Sequence, residues 1–165
     1  GGTGPVGVAS AVICAKAGAG GSFVGRSLEE AEKISSICND RYDSKNVKPG
    51  MDADKGDYFK NTDIVLNTGA AGIQLMTSEH IESSDSLKIC ADTNAVPPSG
   101  IAGVDVMDNG KIIDNSPSGC LGIGALAIGN IKYKSQHECL KLMYTSEKPV
   151  YLDFEDAFKF AQQSV

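Results

Sequence analysis

Gly1-Gly2-Thr3-Gly4-Pro5-Val6-Gly7 opens the chain, and Gly2, Gly4 and Gly7 stand at G-x-G-x-x-G spacing. An apolar helical pattern follows at once through Val6, Ala9, Val12, Ile13 and Ala17, stopping at Gly18 and Gly20. The short strand Ser22-Phe23-Val24-Gly25 comes next. Loop, helix and second strand in that order are the sequence form of a dinucleotide-binding turn. The first glycine permits the tight turn into the helix, the second lets backbone approach a pyrophosphate, and the third lets the helix pack closely. The helix N-terminus then faces the negative charge. The strand that leads into such a loop is central in a doubly wound sheet, and here nothing precedes the loop. The chain is therefore expected to be the C-terminal part of a longer one, lacking its first strand and an N-terminal substrate domain.

The rest of the chain continues the alternation. Ser27, with Glu30 three residues on, is a capping-box start for a helix over 27–41, with Leu28, Ala31, Ile34 and Ile37 on one face. Residues 44–50 read as a loop with a short strand near Val47. A buried strand over 63–67 runs into the turn 68–72, followed by a polar helix over 77–83 and a strand over 87–92. A Pro-rich turn leads to an expected hairpin of 104–107 with 111–113, Asn109-Gly110 supplying its turn. Helices are expected over 121–144 and 154–163, the second capped by Asp153. Strands alternating with helices predict an α/β fold, a Rossmann-like doubly wound parallel sheet, with residues 1–165 forming one domain.

Composition narrows the function classes. A chain of 165 residues with 41% hydrophobic and 22% charged residues builds one globular core, which excludes a disordered protein. The longest apolar runs, such as 123–128, are far too short for a membrane span. A net charge of -6 with scattered Lys and Arg leaves no nucleic-acid footprint. Five cysteines without a Cys-x-x-Cys pair read as reduced, mostly buried thiols of a cytoplasmic protein. Residue 1 already belongs to a motif, so no signal peptide is expected. No metal site is expected: in the run Asp52, Asp54, Asp57, Gly56 comes one position early for a calcium loop, and Asp63 stands where Glu is required. That run reads as a solvated loop leading into a helix. His80 and His137 are isolated on polar helices and read as surface residues.

The cofactor question turns on the end of the second strand. NAD enzymes place a carboxylate there for the ribose 2′-hydroxyl. Gly25-Arg26-Ser27 offers instead a guanidinium that can pair with a 2′-phosphate and a hydroxyl that can donate to it, which favours NADP. The alternative is a solvated Arg26 with Glu29 holding the ribose of NAD. Ligands bind outside the carboxyl ends of the strands, which adds Thr68, Gly69 and Ala70, and then Asp92 and Asn94. Small residues at 69 and 70 let a flat ring approach. Asp92 and Asn94 can orient a carboxamide or the loop itself, and for Asp92 capping its own turn carries equal weight. The candidate cofactor-binding set is Gly2, Thr3, Gly4, Pro5, Val6, Gly7, Arg26, Ser27, Thr68, Gly69, Ala70, Asp92 and Asn94.

Thr-Gly-Pro-Val-Gly at 3–7, Val-Gly-Arg-Ser at 24–27 and Ala-Asp-Thr-Asn-Ala-Val-Pro-Pro-Ser-Gly-Ile-Ala-Gly-Val at 91–104 carry a resemblance. So do the Gly-rich stretch 123–134 ending in Lys132-Tyr133-Lys134, and the ending 151–161. The sequence resembles the NADP-dependent methylene-tetrahydromethanopterin dehydrogenases, which are similar in fold to methylene-tetrahydrofolate dehydrogenases. The resemblance implies hydride transfer from the one-carbon bridge of a reduced pterin to NADP, a cytoplasmic enzyme, and a homo-oligomer in the full-length form. It also implies that a preceding domain supplies much of the pterin cleft, and it makes Lys132 the candidate substrate contact. The alternative for Lys132 and Lys134 is a solvated helix surface beside Glu138. Oxidation of a methylene bridge to a methenyl cation moves no proton, so it needs orientation and no general base. The absence of an acid–base constellation in the sequence agrees with that.

Two rival readings stay open at this stage. One is a shikimate-dehydrogenase-like NADP oxidoreductase, against which only the Asn-Ala-x-Pro-Pro block argues. The other is a regulatory module that binds NADP without catalysis. One consequence of the missing central strand is independent of all three: the strands on either side of it should present unpaired edges to each other, leaving the isolated chain poorly folded.

Overall fold

Proline sets where the first helix begins. In a computed structural model describing residues 1–43 and 46–164, helix α1 (Pro5–Lys16) carries Pro5 in its first turn, where its missing N–H is not needed. The helix stops before Gly18, at φ +91°. Strand β1 (Gly21–Gly25) pairs in parallel with β2 (Val47–Met51), and α2 (Leu28–Tyr42) makes the crossover. The Ser27 hydroxyl oxygen caps α2 by accepting the Glu30 N–H at 3.3 Å.

Strand β2 bears out the short strand expected near Val47 and extends it through Pro49 to Met51, where a loop was expected. Proline has no N–H to give to a ladder, so Pro49 has to face away from β1. Gly21 N–H donates to the Asn46 carbonyl at 3.1 Å, so the backbone groups of 46, 48 and 50 face β1 and the Pro49 nitrogen faces outward. The outer edge of a sheet is where a strand tolerates proline. Ser44 and Lys45 of that expected loop lie outside the described residues. The acidic run Asp52, Asp54, Asp57 forms a 3-10 turn (Asp52–Asp54) leading into α3 (Lys55–Phe59), as expected.

The second sheet holds β3 (Ile64–Asn67), β4 (Ile89–Asp92), β5 (Asn109–Ile112) and β6 (Leu121–Ile123) in the order β3-β4-β6-β5. Pairing is parallel except for β5, which runs antiparallel to β6. Two expectations fail here. The hairpin of 104–107 with 111–113 does not form: Asn109-Gly110 lies inside β5, where Gly110 at φ +83° makes a bulge. The reversal comes later, between β5 and β6, with Asn115 and Gly119 at φ 61° and 68°. The helix expected over 121–144 loses its first residues to β6, and α5 (Ala125–Thr145) starts after Gly124. A Cβ at Gly124 would overlap the Asp105 carbonyl oxygen and lie 2.6 Å from the Val106 carbonyl carbon. Only glycine fits that corner, and apolar periodicity does not reveal it.

The expected doubly wound sheet is therefore present in two pieces, β1-β2 and a mostly parallel four-stranded sheet. Each has its own core. Val12, Phe23, Cys38 and Val47 pack with Tyr42 and Phe154 around the first. Met76, Ile81, Leu87, Cys90, Ile101, Ile113 and Cys120 pack with Phe59 and Val65 beneath the second. The C-terminal helix α6 (Phe154–Gln162), capped by Asp153 as expected, reaches back to the first core. Phe154 sits edge-on to Tyr42 at 5.5 Å, and Glu155 pairs with Lys16 at 2.5 Å. Cys38, Cys90 and Cys120 are buried and Cys14 and Cys139 half-buried, and burial pushes the Cys90 thiol far up. Such thiols are packing groups. Among the described residues, no helix is long and apolar enough to cross a membrane, and no three His, Cys, Asp or Glu side chains gather as for a metal.

His80 has a structural task in place of the expected surface position. On α4 (Ser78–Glu82) its Nδ1 accepts the Thr77 N–H at 3.1 Å, and its ring lies 5.1 Å from that of Phe59. Nδ1 can accept only when unprotonated, so the folded state favours neutral imidazole. Burial, helped by the nearby Lys55 charge, pulls its pKa below the ordinary 6.5. A depressed histidine pKa means the unfolded chain binds the extra proton more readily. This contribution to stability is complete above about pH 6.5 and is lost as pH falls through the folded-state value. Thermal midpoints at pH 7 and pH 5 are expected to differ more for the wild type than for His80→Gln, whose amide oxygen can accept the same N–H. Equal shifts in the two proteins would remove His80 from the account.

Candidate functional site

The three glycines of the opening loop meet three different surroundings. A Cβ at Gly2 would lie 3.0 Å from Phe23 Cδ1 and 3.3 Å from the Val24 nitrogen, so this residue is pressed against β1. A Cβ at Gly7 would overlap the Gly2 carbonyl, which ties the start of α1 to the loop. At Gly4 the nearest heavy atom is the Gly1 oxygen at 3.8 Å. No protein group requires a glycine there, and its bare backbone is left open to an approaching molecule. Gly4 is also the N-cap of α1. No side chain bonds to the first-turn N–H groups, and that turn carries no acidic residue. Pro5 and Val6 form the exposed first turn. This end of α1 is suited to a phosphate group.

Arg26 follows the carboxyl end of β1, exposed and without an ion pair among the described residues. Ser27 Oγ accepts from Glu30 N–H, which leaves the hydroxyl proton available to donate outward. Thr3 leans toward this corner: a Cβ at Gly25 would sit 3.1 Å from Thr3 Cγ2. From the other sheet, Thr68 Oγ1 donates to the Gly1 carbonyl at 3.0 Å. A Cβ at Gly69 would meet Leu75 Cδ1 at 2.5 Å, so a larger residue there would have to displace that side chain, and Ala70 is exposed beyond it. The carboxyl ends of β1 and β3 thus meet at the opening loop, and they bring together residues 1–7, 25–27 and 68–70.

Asp92 and Asn94 lie beneath that surface and are occupied by their own chain. Asp92, 1% exposed, accepts from Asn67 Nδ2 at 2.7 Å, Asn94 N–H at 2.9 Å and Ile101 N–H at 3.0 Å. Asn94 Oδ1 accepts from Gly72 N–H at 3.2 Å and Val96 N–H at 2.9 Å, and its amide donates to the Pro98 carbonyl at 2.8 Å. Of the two roles open in the sequence, these bonds realise the second: they hold the loops. Asn67 and Gly100 were absent from the candidate set. Asn67 Oδ1 accepts the Gly69 N–H at 3.0 Å. A Cβ at Gly100 would overlap Asn67 Nδ2 and lie 2.9 Å from Asp92 Oδ1. A polar residue ending an apolar strand was the available signal for Asn67.

Lys132 makes none of the hydrogen bonds that link these loops. It is exposed on α5, about 10 Å along the helix from Ala125 at 1.5 Å per residue. Glu138, the acid beside which Lys132 and Lys134 were set, lies 3.7 Å from Lys141 and 3.4 Å from His137 instead.

No family model matches the chain. Two curated proteins of Methylorubrum extorquens do. The NAD(P)-dependent methylenetetrahydromethanopterin dehydrogenase is 38% identical over 164 residues, which cover 98% of this chain and 54% of that protein. Over nearly its whole length the chain is similar to about half of this dehydrogenase. The bifunctional protein MdtA is 34% identical over 142 residues, 84% of this chain and 47% of its own length. The chain thus spans about half the length of the curated relatives it matches.

Proposed function

We propose that this chain is the nucleotide-binding part of a cytoplasmic oxidoreductase. It would transfer a hydride from methylene-tetrahydromethanopterin, or methylene-tetrahydrofolate, to NADP, giving the methenyl form in one-carbon metabolism. The observation that carries the reading is the open Gly4 at the uncapped start of α1, in a loop where Gly7 is required by packing and Gly2 is closely packed against β1. The residues present fit the cofactor. Gly4, Pro5 and Val6 would receive the pyrophosphate, Arg26 and Ser27 the 2′-phosphate, and Thr68, Gly69 and Ala70 the nicotinamide side.

Bound NADP supplies the ring that accepts the hydride. The chain's own part is orientation. Asp92 and Asn94 hold the loops over 68–72 and 94–101 in one arrangement through the bonds described above. With the acceptor ring and the donor carbon kept in contact, a hydride step needs no proton carrier. His80 and His137 are accordingly not required as acid or base. Lys132 is proposed as a substrate contact on the pterin side. The full-length protein is proposed to be a homo-oligomer.

The experiment is an absorbance assay for NADPH formation on the full-length protein, with NADP and methylene-tetrahydromethanopterin or methylene-tetrahydrofolate. Reduction that depends on one of these pterins is expected. Reduction with shikimate alone would favour a shikimate-dehydrogenase-like enzyme. Tight NADP binding with no reduction by any of them would leave a non-catalytic nucleotide-binding module.

A further inference from the structure

Asn109-Gly110 serves neither a turn nor the candidate site. The pair lies in β5, the last strand of its sheet, whose four residues are all exposed. Gly110 forms the bulge at φ +83°, with nothing within 4 Å of where a Cβ would stand. Among the described residues, the Asn109 side chain has no hydrogen-bond partner. Other asparagines are tied down. Asn67 and Asn94 hold the loops around Asp92, Asn39 donates to the Val47 carbonyl at 3.2 Å, and Asn115 donates to Glu82 Oε1 at 3.4 Å. Every asparagine except Asn109 is followed by a residue that carries a side chain.

An asparagine side-chain amide is open to attack by the backbone nitrogen of the next residue, which makes asparagine one of the thermolabile residues. A Cβ on that next residue crowds the nitrogen, and glycine has none. An extended, paired strand holds the two reacting atoms apart, so the reaction waits for the strand to open locally. Opening is cheapest where apolar contacts are few and the backbone hydrogen bonds are exposed to solvent. β5 has a single neighbour, β6, and its register is already broken between Asn109 and Lys111. The chain thus places its one Asn-Gly pair where the sheet shields it least.

We propose that Asn109 is a self-modification site, converting to aspartate and isoaspartate with water as the only co-reactant. The Gly110 nitrogen bonds to Asn109 Cγ and the Cγ–Nδ2 bond breaks. The side-chain nitrogen leaves as ammonia, with the proton that the Gly110 amide gives up. Water then opens the succinimide ring at one of its two carbonyls. Opening at Cγ gives aspartate, and opening at the backbone carbonyl gives isoaspartate. Nothing is oxidised or reduced. Asn109 pairs with Ile123, which directly precedes Gly124, the N-cap of α5. Gly124 N–H donates to the Asp108 carbonyl at 2.8 Å, and the first turn of α5 holds no acidic residue. The new carboxylate therefore arrives at the corner that starts α5, and isoaspartate also lengthens the β5 backbone by one carbon there. The site stands whichever nucleotide or pterin is bound.

The test follows the full-length protein by peptide mass mapping, folded in mildly alkaline buffer and, in parallel, unfolded in denaturant. In the folded protein, the peptide carrying Asn109 is expected to gain one mass unit before any other, with one ammonia released per conversion. An isoaspartyl carboxyl methyltransferase with S-adenosylmethionine is expected to label that same peptide. Gly110→Ala should slow the gain at least tenfold. Alanine is strained at this φ, so Asn109→Gln is the second variant: it keeps Gly110 and should abolish both the mass gain and the label there. A gain confined to the unfolded protein would overturn the proposal, because the sheet would then shield the pair. Earlier conversion of another asparagine, or a label that survives Asn109→Gln, would overturn it as well.

Discussion

Asp92→Ala is expected to destabilise the fold by about 3–5 kcal/mol and to lower the thermal midpoint by roughly 6–20 °C. The carboxylate is 1% exposed and accepts three hydrogen bonds. Truncation leaves the Asn67 amide and the Asn94 and Ile101 N–H groups buried without acceptors, each costing about 1–3 kcal/mol. The damage falls where β3, β4 and the loop over 94–101 meet. Asp92→Asn provides the control. Its amide oxygen can replace Oδ1, which takes two of the three bonds, and only the Ile101 N–H then faces another donor. Its loss should be less than half that of the alanine variant. Denaturant unfolding of the three proteins checks the order. Equal stability of Asp92→Ala and wild type would show that the network does not hold these loops.

The second large effect is on cofactor choice. Arg26→Ala is expected to weaken NADP binding about 10- to 100-fold and to change NAD binding by no more than about twofold. Arg26 is exposed and makes no ion pair among the described residues, so its removal breaks none there. A charge-assisted bond to a 2′-phosphate is then what the substitution removes. A parallel loss for both nucleotides would place Arg26 at the shared part of the dinucleotide. No loss for either would return the ribose to Glu29, which stands exposed in the first turn of α2.

The legibility of this chain in its sequence follows the physics of each segment. The opening loop, α1, β1 and α2 could be read because their signals are local: Pro5 in the first turn, Gly18 past the end, Ser27 as a cap. β2 was legible only as a short strand near Val47, because its run through Pro49 to Met51 depends on being the outer strand, a property of the assembled sheet. Asn109-Gly110 misled because its positive φ serves a bulge as well as a turn. The start of α5 was hidden because Leu121 and Ile123 continue an apolar pattern, and only the crowding at Gly124 breaks it. In the candidate site, the glycines and Arg26 stood out by type and spacing. Asn67 and Gly100 act on residues far along the chain, Asn67 on Asp92 and Gly100 against Asn67, and spacing carries no trace of such contacts. His80 looked like surface because its Phe59 neighbour lies 21 positions earlier.

The central claim is that the open Gly4 and the exposed Arg26 together form an NADP site. Titration calorimetry of the chain with NADP and with NAD, repeated with Arg26→Ala, tests it most directly. The account predicts one NADP bound per chain, tighter than NAD, with that preference gone in the variant. Binding of neither nucleotide, or a preference for NADP that survives the substitution, would contradict it.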